Sequence, residues 1–231
     1  VKRLLTLILL MVIAAGIAVL LMRTVARTEV TDVFTAPGPI ASLSVRTGAG
    51  SIAVDAGPDD ILTARITKRY AFFAPEVTAG TGDGGKVVID TDCPALGVLT
   101  GCSVDFDVMS PPAADVQATS TAGPVMITGT SGDVVARSTA GGVAVLRSRS
   151  ADVRASSTAG DVRVEAATAP DSIAASTTAG SVVVEVPRGA YRVDARAGAG
   201  SVTIEGITDT PSAGRVITAS ASAGGVTVRG R

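Results

Sequence analysis

The sequence predicts an all-β, repetitive β-solenoid of about 18–20 residues per coil, behind one N-terminal transmembrane helix. Three observations predict it. An Ala-Gly dipeptide recurs along the chain, with small or aliphatic residues at fixed offsets on both sides. Aromatics make up only 3% and tryptophan is absent, so alanine, valine and isoleucine must fill a narrow interior. Residues 4–22 form an uninterrupted uncharged run.

That run, LLTLILLMVIAAGIAVLLM, has 19 residues. At about 1.5 Å each it reaches roughly 28 Å, the thickness of a bilayer core. Lys2 and Arg3 precede it, as in the basic region of an export signal. A cleavable signal would carry a shorter apolar region and a small-x-small site, whereas Arg23, Thr24, Val25, Ala26 and Arg27 follow here. The segment therefore reads as an uncleaved signal anchor, with a cleaved peptide as the alternative. Lys2 and Arg3 favour a cytoplasmic N-terminus, and Arg23 and Arg27 weaken that bias. The expected organisation is a cytoplasmic tail at 1–3, the anchor at 4–22, a tether at 23–38 ending in APGP, and an extracytoplasmic body at 39–231.

Gly50, Gly123, Gly141, Gly160, Gly180, Gly200 and Gly224 each follow an alanine and are the expected repeat turns. Seven residues before them lie Leu43, Val116, Val134, Val153, Ile173, Val193 and Ile217. Two after lie Ile52, Val125, Val143, Val162, Val182, Val202 and Val226, and four after lie Val54, Ile127, Val145, Val164, Val184, Ile204 and Val228. Apolar residues spaced by two on either side of a glycine describe two short strands, each burying one face. Glycine permits the sharp bend between them. Polar residues such as Arg154 and Glu165 alternate with the apolar set and face outward. One such unit buries too little to fold alone, so successive units must stack. Columns of alanine and of Ser120, Ser138, Ser157 and Thr177 point to a flattened coil. A flattened β-sandwich is the competing architecture, although its hairpins would favour Asn-Gly or Asp-Gly turns.

Residues 55–115 fit the repeat less regularly. Strands are expected at 61–69, 86–90 and 103–108, as wider coils of the same body. Cys93 and Cys102 flank a turn-rich loop behind an export-like segment, which reads most simply as a disulfide made outside the cytoplasm. Two buried thiols are the alternative. The last strand, GVTVR at 225–229, lies near the end of the sequence, so an open C-terminal edge available for self-association is expected there.

Several function classes are disfavoured by composition. The chain has no histidine, which removes Ser-His-Asp and Cys-His catalysis and histidine-containing zinc sites. Net charge is −1 without a basic run, so no nucleic-acid partner is expected. GTGDGGK at 80–86 matches half of a phosphate-binding loop, but Val87 replaces the required serine or threonine and a strand follows. Asp83, Asp90 and Asp92 lack the alternation of a calcium loop. Asp105 and Asp107 share one strand face like a glycosidase pair, yet simple alternation explains them as the solvated side. Thr121, Thr139, Thr158 and Thr178 read as a ladder beside the turn. Met126, Leu146 and Val183 point outward and form a candidate interaction patch. No catalytic residue, metal or cofactor is assigned.

The stretches STAGDVRVE at 157–165, TSGDVVARSTAGGVAV at 130–145 and TTAGSVVVEV at 177–186 resemble those of the bacterial "putative adhesin" family, a domain of unknown function. So does the entry region ITKRYAFFAPEV at 66–77, followed by DCP, GCSVDFDV and a proline pair. The resemblance spans roughly residues 38–231 and implies a β-solenoid at the cell surface. The expected function is a non-catalytic, membrane-anchored binding or scaffold module whose partners are the bilayer, through residues 4–22, and an envelope protein or polysaccharide. A structural protein assembling through open solenoid ends is the runner-up, and a polysaccharide-acting β-helix enzyme the third reading.

Overall fold

A computed structural model describes residues 28–94 and 101–231, with the isolated residues Met11, Ile13 and Gly16. The anchor expected at 4–22 otherwise lies outside the described residues. Among those described, no helix is long and apolar enough to cross a membrane.

The repeat folds into two-strand coils, one strand in each of two facing sheets. In chain order the strands are β1 (Thr28–Pro37), β2 (Ser42–Ala49), β3 (Ile52–Ala56), β4 (Ile61–Tyr70), β5 (Glu76–Gly82), β6 (Lys86–Asp92) and β7 (Ser103–Ser110). Then come β8 (Asp115–Ala122), β9 (Val125–Thr128), β10 (Val134–Ala140), β11 (Val143–Ser148), β12 (Asp152–Ala159) and β13 (Val162–Ala166). The last are β14 (Ser172–Ala179), β15 (Val182–Val186), β16 (Ala190–Ala199), β17 (Val202–Glu205), β18 (Thr208–Asp209), β19 (Val216–Ala223) and β20 (Val226–Gly230). One sheet runs β1-β4-β7-β3-β9-β11-β13-β15-β20-β17, the other β18-β16-β19-β14-β12-β10-β8-β2-β6-β5.

Coil strands pair in parallel and in register, which excludes the hairpin sandwich. Leu43 pairs with Val116, Val116 with Val134, Val134 with Val153, Val153 with Ile173 and Ile173 with Ile217. In the opposite sheet Val145 pairs with Val164 and Val164 with Val184. These side chains are sealed between the sheets and form one continuous aliphatic core.

Coil order departs from chain order at both ends. The β2/β3 coil sits between β6/β7 and β8/β9, and the β19/β20 coil between β14/β15 and β16/β17. The first and last coils in sequence are therefore each inserted one place inward. This corrects the expected open edge at 225–229: β20 is paired on both sides, and β17 is the edge.

The last two turn glycines follow the spatial order of their coils. Stacking of successive copies would set Gly200 against Gly180 and leave Gly224 outermost. Instead the Gly180 N–H donates to the Ala223 carbonyl at 2.9 Å, and the Gly224 N–H to the Ala199 carbonyl at 2.8 Å. Gly224 is thus an interior turn between Gly180 and Gly200, and Gly200 is the exposed terminal one. The reason lies in the excursion at 206–215, which carries β18 across the end of β16 and brings the chain back to the inner side of that coil.

The expected tether is also corrected. Residues 28–37 form β1, because TEVTDVFTAP buries Ala36 and half-buries Phe34 by period-two alternation. β1 pairs antiparallel with β4, and β4 antiparallel with β7, while β5 pairs antiparallel with β6. The 61–69 segment is thus a cap at the end where the chain enters, and β6/β7 is the irregular coil, with the Cys93–Cys102 disulfide where the others have an Ala-Gly turn.

Each Ala-Gly turn locks to its neighbour. The Gly160 N–H donates to the Ala179 carbonyl at 2.9 Å, and Gly141 to Ala159 likewise. A second ladder lies inside the bend. Hydroxyls three places before the glycine donate to the adjacent turn's carbonyl: Ser120 to Gly50 at 3.1 Å, Ser138 to Gly123 at 2.9 Å, Ser157 to Gly141 at 2.8 Å and Thr177 to Gly160 at 2.8 Å. Ala221, paired with Thr177, breaks the ladder and is buried. Ala221→Ser is expected to donate to Gly180 and stabilise the protein by about 1 kcal/mol, read as a higher urea midpoint at unchanged slope.

Candidate functional site

In interior coils the second and fourth residues after the turn glycine are sealed. Val182 and Val184, which follow Gly180, are 0% exposed, and Val226 and Val228, which follow Gly224, at most 1%. At the same positions after Gly200, in β17, Val202 is 42% and Ile204 41% exposed. Among the described residues no further coil covers them. Val193, Ala195 and Ala197 of β16, which face them across the core, are only partly buried. The stack thus ends on its own unsealed interior.

The chain after β17 covers just one corner of this end. β18 pairs with β16 at Ala190 and Tyr191, and the Asp209 carboxylate accepts the Val193 N–H at 3.1 Å. Tyr191 is fully buried there, its hydroxyl donating to the Pro187 carbonyl at 2.8 Å. Beyond that corner no described strand pairs with these edges. Arg192 N–H bonds toward β19, so by alternation Ala195 and Ala197 direct their backbone groups outward from the stack. Val226 N–H bonds to Ser201, so Val202 and Ile204 do the same from β17. On the outer face of β16, Arg196 meets Asp194 at 2.9 Å.

A second cluster lies on the outer face of the other sheet, where sequence reasoning placed only solvated charges. Glu185 of β15 is 3% exposed. Arg163 reaches it at 3.1 Å, Arg229 Nε at 2.6 Å and Arg231 at 3.5 Å, while Arg231 also meets Glu165 at 2.6 Å. Burial works to raise the Glu185 pKa, but the Arg229 hydrogen bond and the charges of Arg163, Arg229 and Arg231 hold it below the ordinary value. Cross-strand register carries this cluster: Glu165 pairs with Glu185, and Glu185 with Arg229. Aligned on the turn glycines, these charges fall in one row, which was the available signal.

A depressed carboxylate pKa stabilises the fold above the unfolded value and loses its effect as pH falls through the folded one. Stability is therefore expected to hold from neutrality to about pH 5 and to decline below about pH 4. Glu185→Gln should flatten that decline and cost roughly 2 kcal/mol at neutral pH, measured by urea denaturation across pH.

The other sequence candidates are dispersed. Cys93 and Cys102 are bonded as a disulfide with Cα atoms 6.1 Å apart. Gly50, Gly123, Gly141, Gly160, Gly180, Gly200 and Gly224 all occupy turns between the sheets, with φ between +125° and +157°. Met126 and Val183 share an outward column but are separated by Ala144 and Arg163, while Leu146 pairs with Thr128 in the next column. The proposed patch is not contiguous, because two coils, one bearing an arginine, intervene. Asp105 accepts from the Ser51 N–H at 2.7 Å and the Ser51 hydroxyl at 2.8 Å, and pairs with Arg69. Burial pushes its pKa up, but the Ser51 bonds and Arg69 outweigh it and leave the carboxyl lowered, the wrong direction for a general acid. Gly82 leads into a 3-10 turn at Asp83–Gly85 and then directly into β6, so no helix N-terminus stands behind Lys86. Among the described residues, no three of His, Cys, Asp or Glu come close enough to hold a metal.

The model of the Toastrack family, DUF4097, matches residues 30–229. The chain belongs to the Toastrack family. No curated protein matches it. The fold of the chain is similar to that of a putative cell adhesion protein from Clostridium sporogenes, at TM-score 0.52 and 11% identity, over 88% of this chain and 100% of that one. A putative adhesin from Bacteroides fragilis aligns at TM-score 0.49 and 12% identity, over 88% of this Toastrack chain and 97% of its own. The first of these likenesses shows the fold alone. The match takes in β2 to β19 whole and most of β1 and β20.

Proposed function

We propose that this Toastrack chain is a non-catalytic, membrane-anchored binding module that holds a rigid β-stack outside the cytoplasm and engages its ligand at the stack's open end. The observation that carries this is the exposure of Val202 and Ile204 at positions that every interior coil seals. Apolar surface of this kind, rimmed by charge, is characteristic of an interaction site. Entry of the chain at β1, on the opposite end, supports the geometry: the anchor at 4–22 leaves the open end distal to the membrane. The Cys93–Cys102 disulfide supports an oxidising compartment. The adhesion name of the Clostridium sporogenes neighbour favours a binding role over catalysis.

The test has two parts. Protease added to intact cells should trim a C-terminal tag from a chain that sediments with membranes; a tag protected inside the cell would refute the placement. Adhesion of cells displaying the chain should fall several-fold on Ile204→Lys, which alters exposed surface and leaves the core untouched. Glycan turnover lost in an Asp105→Asn/Asp107→Asn variant would replace the binding reading with an enzyme.

A further inference from the structure

We propose that the open end pairs with the same end of a second copy of this chain, edge to edge about a two-fold axis. This rests on the binding-module reading and names its partner. The end surface is made of small aliphatic side chains, Val193, Ala195, Val202 and Ile204, standing over a core of the same composition. An identical end continues each core column with like residues, as neighbouring coils do within the stack.

Charge and backbone parity choose the operator. Two antiparallel β16 strands crossing at Ala195 oppose Asp194 of each copy to Arg196 of the other, so the Asp194–Arg196 pairs within each copy join into one alternating row of four charges across the axis. The same crossing sets Ala195 against Ala195 and Val193 against Ala197. Of the six backbone bonds such a crossing can make, four are open to it: the two between the Ala195 residues and one from each Ala197 N–H to the Val193 carbonyl of the other copy; the Val193 N–H stays with Asp209. The entry end offers no such match. There the edge strand β1 carries Glu29 and Asp32 and no lysine or arginine of its own, so a second copy would have no opposite charge on that strand to meet them.

Two short strand edges and the core between them bury on the order of 1,000 Å² or less, the class of weak contacts. A two-fold axis across the stack turns the second copy end for end, so the two β1 strands lie at opposite extremes. On anchored chains the partner then belongs to a facing membrane, where many weak pairs act together.

The full chain, purified in mild detergent, is to be followed by sedimentation from about 10 µM to 1 mM. A monomer–dimer equilibrium that goes no further is expected. Asp194→Arg and Arg196→Asp should each weaken it at least ~10-fold, and the double exchange should restore it to within a few-fold. Ile204→Lys should also abolish it, with circular dichroism and thermal midpoint unchanged in all four variants. Monomer throughout, open-ended oligomers, or a double exchange that fails to restore pairing would overturn the proposal. Flotation of the chain with phosphatidylcholine vesicles judges the anchor separately: pairing without flotation sinks the anchor and leaves the pairing standing, and flotation without pairing does the reverse.

Discussion

Gly160→Ala is expected to remove roughly 4–5 kcal/mol, most of the stability of an ordinary domain. Two costs combine. Gly160 has φ +150°, a region that residues with a side chain occupy at about 1–3 kcal/mol. A Cβ there would also lie 2.5 Å from the Gly141 carbonyl carbon and closer still to its oxygen. Those are backbone atoms, so relief requires the two coils to separate, and that breaks the hydrogen bond from Ser157 to Gly141. The same contact recurs from turn to turn: Gly123 against Gly50, Gly180 against Gly160, Gly224 against Gly180 and Gly200 against Gly224. Gly48 supplies the control. It lies two residues from the Gly50 turn, has nothing within 4 Å of a built Cβ, and sits in an extended strand. Gly48→Ala should change stability by less than about 1 kcal/mol. Urea denaturation of the pair measures the contrast, and similar effects at both positions would refute the turn-locking account.

A chain stopped at Thr210 is expected to lose two coils for the deletion of one. The missing residues include β19 and β20, which lie between β14/β15 and β16/β17. Without them β16 and β17 have no neighbouring coil in either sheet, since both pair with the deleted strands. Eight coils become six, and the urea m-value should fall by about a quarter instead of an eighth. Limited proteolysis gives the sharper reading. Residues 188–210 should be cut quickly while 42–186 stays protected, and protection of 188–210 would show that the terminal coil can be replaced by direct docking.

Much of this was legible beforehand, and for a definite reason. Parallel register makes equivalent residues stack, so the columns headed by Leu43, Ile52 and Val54 could be read directly from spacing. The flattened coil followed from alanine and serine columns, and Ser120, Ser138 and Ser157 proved to carry hydrogen bonds that the spacing alone did not disclose. Coil order was not legible. Every coil offers nearly the same edge to its neighbours, so periodicity cannot say that Gly224 precedes Gly200 in the stack. Chain order alone implies an edge at residues 225–229, whereas the stack ends on Val202 and Ile204. β1 is not legible as a strand because only Ala36 is buried and Phe34 half-buried, too few to mark it without its partner β4. Glu185 escaped because a charge in an outward column reads as solvated until three arginines are brought over it.

The displaced final coil also sets a schedule for making the protein. Chain elongation delivers residues 190–205 before 216–230, yet the earlier segment has its only coil neighbour in the later one. While the polypeptide is still emerging, β16 and β17 must wait as unpaired ribbon beside a half-built wall. Assembly cannot run strictly from first residue to last, and the open end of the stack acquires its shape only when the closing segment slides into the slot held for it.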